Sequence, residues 1–262
     1  MKCDIEKIQT KSWIQNAIVP PIISASRSTD IPALYSEWLI NRLRAGYCIW
    51  INPFNQGKQY ISFKNTKIIV FWTKNPAPLI PLLSQIDDLG ISYYFQFTLN
   101  NYVAEKFEPG IPSLEERIET FLNLSEIIGK DKIIWRFDPI IFSSTLSSDC
   151  ILERISVLAN ILQNYTNKLV FSFADIMRYK HVSNNIRILD KSIRELTAQE
   201  MVLFADCLSK INANLSIPLS LATCAEHIDL SFYGIEHNKC IDNKLITKIL
   251  PHFNKDPDRI FS

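Results

Sequence analysis

The chain has 262 residues, 47% of them hydrophobic and 21% charged, with 28 basic against 27 acidic residues and a formal net charge of +1. That is a globular composition, long enough for one large α/β domain or two small ones. The even charge balance leaves no electrostatic footprint for nucleic acid or an anionic membrane, and no apolar run is long enough to span a bilayer.

The N-terminus, Met1 to Lys7, carries no apolar h-region and gives no sign of a signal peptide. The six cysteines (Cys3, Cys48, Cys150, Cys207, Cys224 and Cys240) are scattered. In a chain of this size without a signal they read as reduced thiols or ligands rather than disulfides, and the protein is expected to be cytoplasmic.

Residues 1–20 read as a polar lead-in, irregular or with a short helical start. Pro20-Pro21 opens a strand, Ile22 to Ser26, which runs into Arg27-Ser28-Thr29-Asp30. Thr29 or Asp30 suits a helix N-cap with Pro32 in the first turn. That helix is expected over about Ala33–Ala45, closed by Gly46. Tyr47–Ile51 and Gln59–Phe63 flank the turn-rich segment Asn52 to Gly57, a hairpin insertion over 47–63. Lys67–Phe71 is the second core strand, and a helix to about Leu89 follows Trp72-Thr73-Lys74-Asn75-Pro76. Tyr93–Asn100 is the third. Ser113 with Glu116 has capping-box spacing and starts a helix ending at Gly129. Ile133–Ile140 is the fourth strand, followed by a helix over roughly Asp149–Gln163. Lys168–Asp175 is the fifth. The basic, irregular segment 176–195 is a candidate lid. Thr197 with Glu200 caps a helix to about Ile211, and Leu215–Thr223 is the sixth strand. The remainder, 224–262, is loop with one helix near Asn243–Leu250.

Apolar strands alternating with amphipathic helices mean parallel strands covered by helices. An open doubly wound sheet also satisfies the pattern. The chain has only 6 glycines and no glycine-rich strand-to-helix turn of the dinucleotide or P-loop kind. Polar side chains stand at nearly every strand end instead, which fits a site at the C-terminal mouth of a barrel. The expected fold is therefore a single α/β domain over 1–262, a partial TIM-like (β/α)6 barrel with a small β-hairpin insertion.

The strand ends supply the candidate ligand-binding residues: Ser26, Arg27, Asp30, Lys74, Asn75, Gln96, Thr98, Arg136, Asp138, Asp175 and Glu226. Arg136 has a fork of donors suited to a carboxylate or phosphate. The alternative is a buried structural pair with Asp138, two residues on and on the same strand face. Asp30 is either a ligand contact or an N-cap, and Lys74 either an anion ligand or a solvated loop lysine. Cys224-Ala-Glu-His227 and His237-Asn-Lys-Cys240 are two mirrored pairs that together supply four ligands for zinc. Reduced cysteines with incidental histidines are the other reading of that segment, and a catalytic thiol at Cys224 is a further option.

Six motifs together resemble a known family: Ile23 to Pro32, Asn52-Pro53-Phe54-Asn55, Phe71 to Pro76, Tyr94-Phe95-Gln96-Phe97-Thr98, Trp135-Arg136-Phe137-Asp138-Pro139, and Cys224-Ala225-Glu226 followed by Ile228-Asp229-Leu230. The likeness, to the microbial domain of unknown function family 1848, runs from about Ile22 to Ile241. The resemblance implies a link to radical S-adenosylmethionine enzymes, and so S-adenosylmethionine and a [4Fe–4S] cluster as cofactors. Relatives continue past a segment matching Cys240-Ile241-Asp242 to a C-x3-C-x2-C motif, whose three thiolates would hold the cluster. No C-x3-C-x2-C occurs in this sequence. The expectation is a truncated or degenerate radical-SAM-like enzyme, or one whose cluster a partner protein supplies. Its pocket at the strand ends would take a small-molecule or nucleotide-like ligand. A zinc enzyme using Cys224 to Cys240, and a non-catalytic binding or scaffold protein, are the alternatives.

Overall fold

The structure is a computed structural model that describes residues 4–10, 13–26, 29–176, 190, 192–225 and 227–252. The chain divides into two compact units, Met1–Phe95 with Ile241–Ser262, and Gln96–Cys240. It is a mixed α/β protein with parallel strands and helices between them. No helix among the described residues is long and apolar enough to cross a membrane.

In the first unit β1 (Ile5–Gln9) pairs antiparallel with β2 (Ile14–Ile18). β3 spans Ile22–Ala25. β4 (Tyr47–Ile51) and β5 (Lys58–Ser62) form the expected hairpin, and β5 also pairs parallel with β2. The result is a four-stranded sheet ordered β1-β2-β5-β4. The described residues of the 1–20 segment thus hold two strands, where an irregular or helical lead-in was expected. Its period-2 signal is faint because only Ala17 in these two strands is buried. The Ser62 hydroxyl donates to Glu6, fixing β5 to β1 across the sheet.

The core strand β6 (Ile68–Thr73) pairs parallel with β3. Ile68 to Phe71 are all fully buried, as expected of a parallel strand covered on both faces. The helix expected over Ala33–Ala45 is two pieces, α1 (Ile31–Leu34) and α2 (Ser36–Arg44). Tyr35 between them has φ −138°, outside the helical range, and the Ser36 hydroxyl turns back to the Pro32 carbonyl at 2.6 Å. The helix expected after Pro76 shrinks to a 3-10 turn, Ile80–Leu82, and α3 (Leu83–Asp87). Pro76, Pro78 and Pro81 lack amide donors, so regular helix starts only beyond them. β7 (Ser92–Thr98) begins in this unit and ends in the next.

The second unit alternates strands and helices. After β7 come α4 (Leu114–Ile128), β8 (Ile133–Ile140), α5 (Ser148–Leu162), β9 (Lys168–Phe173), α6 (Ala198–Ala213), β10 (Ser220–Thr223) and β11 (Ile235–His237). Both expected capping boxes form, Ser113 with Glu116 and Thr197 with Glu200. β8, β9, β10 and β11 pair in that order, all parallel. The core between strands and helices is aromatic: Phe97 packs on Phe121, and Phe171 and Phe173 pack on Phe204. The sixth strand is shorter than the expected Leu215–Thr223. The Leu219 amide and carbonyl bond the Asn212 side chain, and the Ile217 amide bonds Gln163, so these groups are spent outside the ladder. β11 is a further parallel strand beyond the six expected. Finally α7 (Asn243–Ile249), capped by Asp242, belongs to the first unit, where the Asp242 amide donates to the Tyr94 hydroxyl at 3.0 Å.

Candidate functional site

β8 is apolar until Arg136, which is only 2% exposed. Its guanidinium needs partners there, because a buried unpaired charge is strongly destabilising. It has them. Nε donates to Asp138 Oδ2 at 3.1 Å, and Nη2 donates to the same oxygen. Nη1 donates to Gln96 Oε1 at 2.7 Å. Nη2 also lies 3.4 Å from Cys224 Sγ. The Arg136–Asp138 pair read from strand alternation is therefore present, and it has two further members.

Each neighbour is itself held. Asn100, fully buried, clamps the Asp138 backbone: its Oδ1 accepts from the Asp138 amide at 3.0 Å and its Nδ2 donates to the Asp138 carbonyl at 3.1 Å. The Ser172 hydroxyl, from β9, donates to Asp138 Oδ1. Gln96 Nε2 donates to the Cys240 carbonyl at 2.7 Å, so one amide side chain ties Arg136 to the chain beyond β11. Cys224 follows β10 directly, its amide bonded to the Phe171 carbonyl at 3.0 Å. Asn238 follows β11, is 4% exposed, and directs Nδ2 to Cys224 Sγ at 3.6 Å and to the Lys239 carbonyl at 3.0 Å. Its Oδ1 is buried with no hydrogen-bond partner among the described residues.

Burial opposes the charge on Arg136, but the Asp138 carboxylate and then the Cys224 sulfur outweigh it, and its pKa lies above the ordinary guanidinium value. The cation is permanent. What the arrangement offers chemically is a half-buried thiol in contact with a fixed guanidinium and an amide nitrogen.

The strand ends of the first unit are arranged differently. Asp30 is an N-cap: Oδ1 accepts from the Ala33 amide at 3.0 Å. Its Oδ2 accepts from the Thr73 hydroxyl at 3.0 Å and the Lys74 amide at 2.8 Å, which ties the end of β6 to α1. Ser26 Oγ accepts from the Ile31 amide at 3.0 Å. The Asn75 amide donates to Thr73 Oγ1, and Asn75 Oδ1 accepts from the Ala77 amide. These are turn and cap contacts. Thr98 is half-buried at the end of β7, and Asp175 is exposed beyond β9. Arg27, Glu226 and residues 177–189 and 191 of the candidate lid lie outside the described residues.

Among the described residues no three or more His, Cys, Asp or Glu side chains converge as a metal would require. Of the mirrored set, His227, His237 and Cys240 are exposed, whereas Cys224 already faces Arg136, a cation that opposes a metal ion at that sulfur. Thr223 and Ala225, on either side of Cys224, line a separate cavity of about 360 Å³ with His227, Asp229 and His237. A [4Fe–4S] cluster of the kind the resemblance implies needs three convergent thiolates. Of the described cysteines of the second unit, Cys150 lies on α5 and Cys207 on α6, Cys240 is exposed and reaches Gln96 through its backbone carbonyl, and it is the Cys224 sulfur that meets Arg136. The described residues do not fit that cluster.

Asn238 is the member of the site that sequence reasoning missed. Its signal is positional: it sits between His237 and Cys240, one residue past a three-residue strand too short to register as a period.

Parallel strands joined by helices, with a buried cation linked to a half-buried carboxylate and thiol along the C-terminal halves of the strands, define a mixed α/β protein with a polar cluster in its sheet. The chain belongs to the family described as domain of unknown function (DUF1848), whose model matches residues 22–259. No curated protein and no solved structure matches it.

Proposed function

We propose that the strand ends of the second unit form a small-molecule site whose reactive group is the Cys224 thiol, so that the protein is a thiol-dependent enzyme. The observation that carries this reading is the 3.4 Å contact between Arg136 Nη2 and Cys224 Sγ. Arg136 would hold the charge of the thiolate, the form that attacks an electrophilic carbon. Asp138, Gln96 and Ser172 position Arg136, directly or through Asp138, and do not touch the reacting atoms. Asn238 Oδ1, a buried acceptor awaiting a donor, would take a hydroxyl or amine hydrogen of the substrate. The alternation of parallel strands and helices supports reading this unit as a segment of the partial TIM-like barrel, in which strand ends build the site. The radical-SAM-like ancestry remains a reading of the frame alone, and no step runs through a cluster or S-adenosylmethionine.

Alkylation by iodoacetamide at pH 8, mapped by mass spectrometry, tests the assignment. Cys48 is the internal control: burial, opposed by Arg42, pushes its thiol up to about 11, so it stays unlabelled. Cys224 labels readily, and Arg136→Met slows it by at least about tenfold, the lower bound for one charged hydrogen bond, without changing exposed Cys207 and Cys240. A Cys224 as inert as Cys48, or indifferent to Arg136→Met, overturns the reading.

A further inference from the structure

The loop that leads from β7 to α4 encloses a second cavity, separate from the Cys224 cluster, of about 300 Å³. Its walls are largely apolar, with Tyr102, Val103, Ile111 and Pro112 among them. Arg117 also lines it. This arginine occupies the buried stripe of α4, with Phe121 and Leu124 four and seven residues further on. It is 1% exposed. An apolar side chain is the ordinary occupant of such a position.

Two of its nitrogens, Nε and Nη1, are buried without a hydrogen-bond partner among the described residues. Glu108 is the nearest carboxylate, 3.9 Å from Nη1. That is beyond hydrogen-bond length, so Glu108 balances charge without satisfying Nη1. Burial pulls the Arg117 pKa below its ordinary value, with Glu108 and Glu115 opposing, and guanidinium still stays protonated. The capping box already uses the Ser113 and Glu116 amides at the start of α4. Nε and Nη1 of Arg117 are left as buried side-chain donors on the cavity.

We propose that this cavity is a binding site for a small monocarboxylate with an apolar body, its carboxylate on Arg117 and its body against Tyr102, Val103 and Ile111. The volume lies at the small end of the roughly 300–1,000 Å³ range of ligand pockets. A single negative charge suits the site better than a dianion, because the lining carries two cations, Arg117 and Lys106, against one carboxylate, Glu108.

Isothermal titration of the full chain with benzoate, benzamide and sulfate tests the proposal. Benzoate should bind saturably in the millimolar range or tighter, with benzamide and sulfate at least tenfold weaker. Arg117→Met, which keeps the volume and removes the donors, should abolish benzoate binding. Ile111→Trp fills the cavity from a half-buried loop position and leaves Arg117 in place; it should abolish binding as well, and decides the matter if Arg117→Met does not fold. No saturable benzoate binding to the native chain, equal affinity for benzamide or for sulfate, or undiminished binding in either folded variant overturns the site. Labelling of Cys224 plays no part in these measurements, so the two assignments stand or fall separately.

Discussion

Arg136 and Cys224 are 88 residues apart in the chain, yet Nη2 of the first meets the sulfur of the second at 3.4 Å. The contact joins the middle of β8 to the residue after β10, two strands that flank β9 in a parallel sheet. Parallel pairing brings C-terminal strand ends to one edge, so residues remote in sequence share a site there. The same guanidinium bonds Asp138 and Gln96. It is both the cation of the site and the cross-link that fixes it.

Breaking that cross-link on one side should cost more than removing it. Asp138→Ala takes the carboxylate away from a 2%-exposed guanidinium, and should destabilise by about 3–5 kcal/mol. Arg136→Met together with Asp138→Ala should cost less than the two singles added, with a coupling of about 1–3 kcal/mol. Urea unfolding of the four proteins reads this directly. Strictly additive losses would show that the pair contributes nothing as a pair.

Asp30 acts on stability in the first unit. One oxygen caps α1, and the other holds the Thr73 hydroxyl and the Lys74 amide. Asp30→Ala removes the cap and strands a hydroxyl on a 4%-exposed residue, a loss of about 2–4 kcal/mol. Asp30→Asn keeps one acceptor oxygen and should lose about half as much. Thermal unfolding midpoints separate the two. A destabilisation below about 0.5 kcal/mol for the alanine variant, within the range of ordinary surface substitutions, would return Asp30 to the ligand-contact reading.

The second capping box gives a signed pH dependence. Arg194, with the Thr197 amide and hydroxyl, holds the Glu200 carboxyl down at about 2, against an ordinary 4.5. Over that interval the unfolded chain binds the proton and the folded chain does not, so stability falls as pH falls. The contribution of this group is complete above about pH 4.5 and is lost as pH drops to about 2. Glu200→Gln should flatten that stretch of the stability profile and lower the midpoint at neutral pH. An unchanged acid limb in the variant would show that the box does not form in solution.

These elements also mark what the residues disclosed. Both capping boxes are local, three residues from end to end, and their spacing was enough to find them. The Arg136–Asp138 pair followed from strand alternation for the same reason. The partners of Arg136 outside β8 did not follow, because Gln96 lies 40 residues away and Cys224 lies 88 away, and no spacing rule spans a sheet. β1 and β2 escaped notice because only one of their residues is buried, and β11 because three residues make no period. The break at Tyr35 had no proline or glycine at that residue to announce it.

Asn238 carries the sharpest test of how the site holds charge. Its Nδ2 donates toward Cys224 Sγ at 3.6 Å, while its Oδ1 has no partner among the described residues. Asn238→Asp exchanges the amide donor for a carboxylate at nearly constant volume. A carboxylate in place of the amide beside sulfur disfavours the thiolate relative to the native protein. Alkylation of Cys224 at pH 8 should therefore slow by about tenfold, an electrostatic cost near 1.4 kcal/mol. Asn238→Ala removes the long contact to sulfur without adding charge, and should slow the reaction by no more than about threefold. If both variants react alike, the amide acts through packing, and charge at Cys224 is set by Arg136 alone. If Asn238→Asp reacts faster than the native protein, the carboxylate is serving as a base toward the thiol, and the view that Asn238 holds negative charge on sulfur fails.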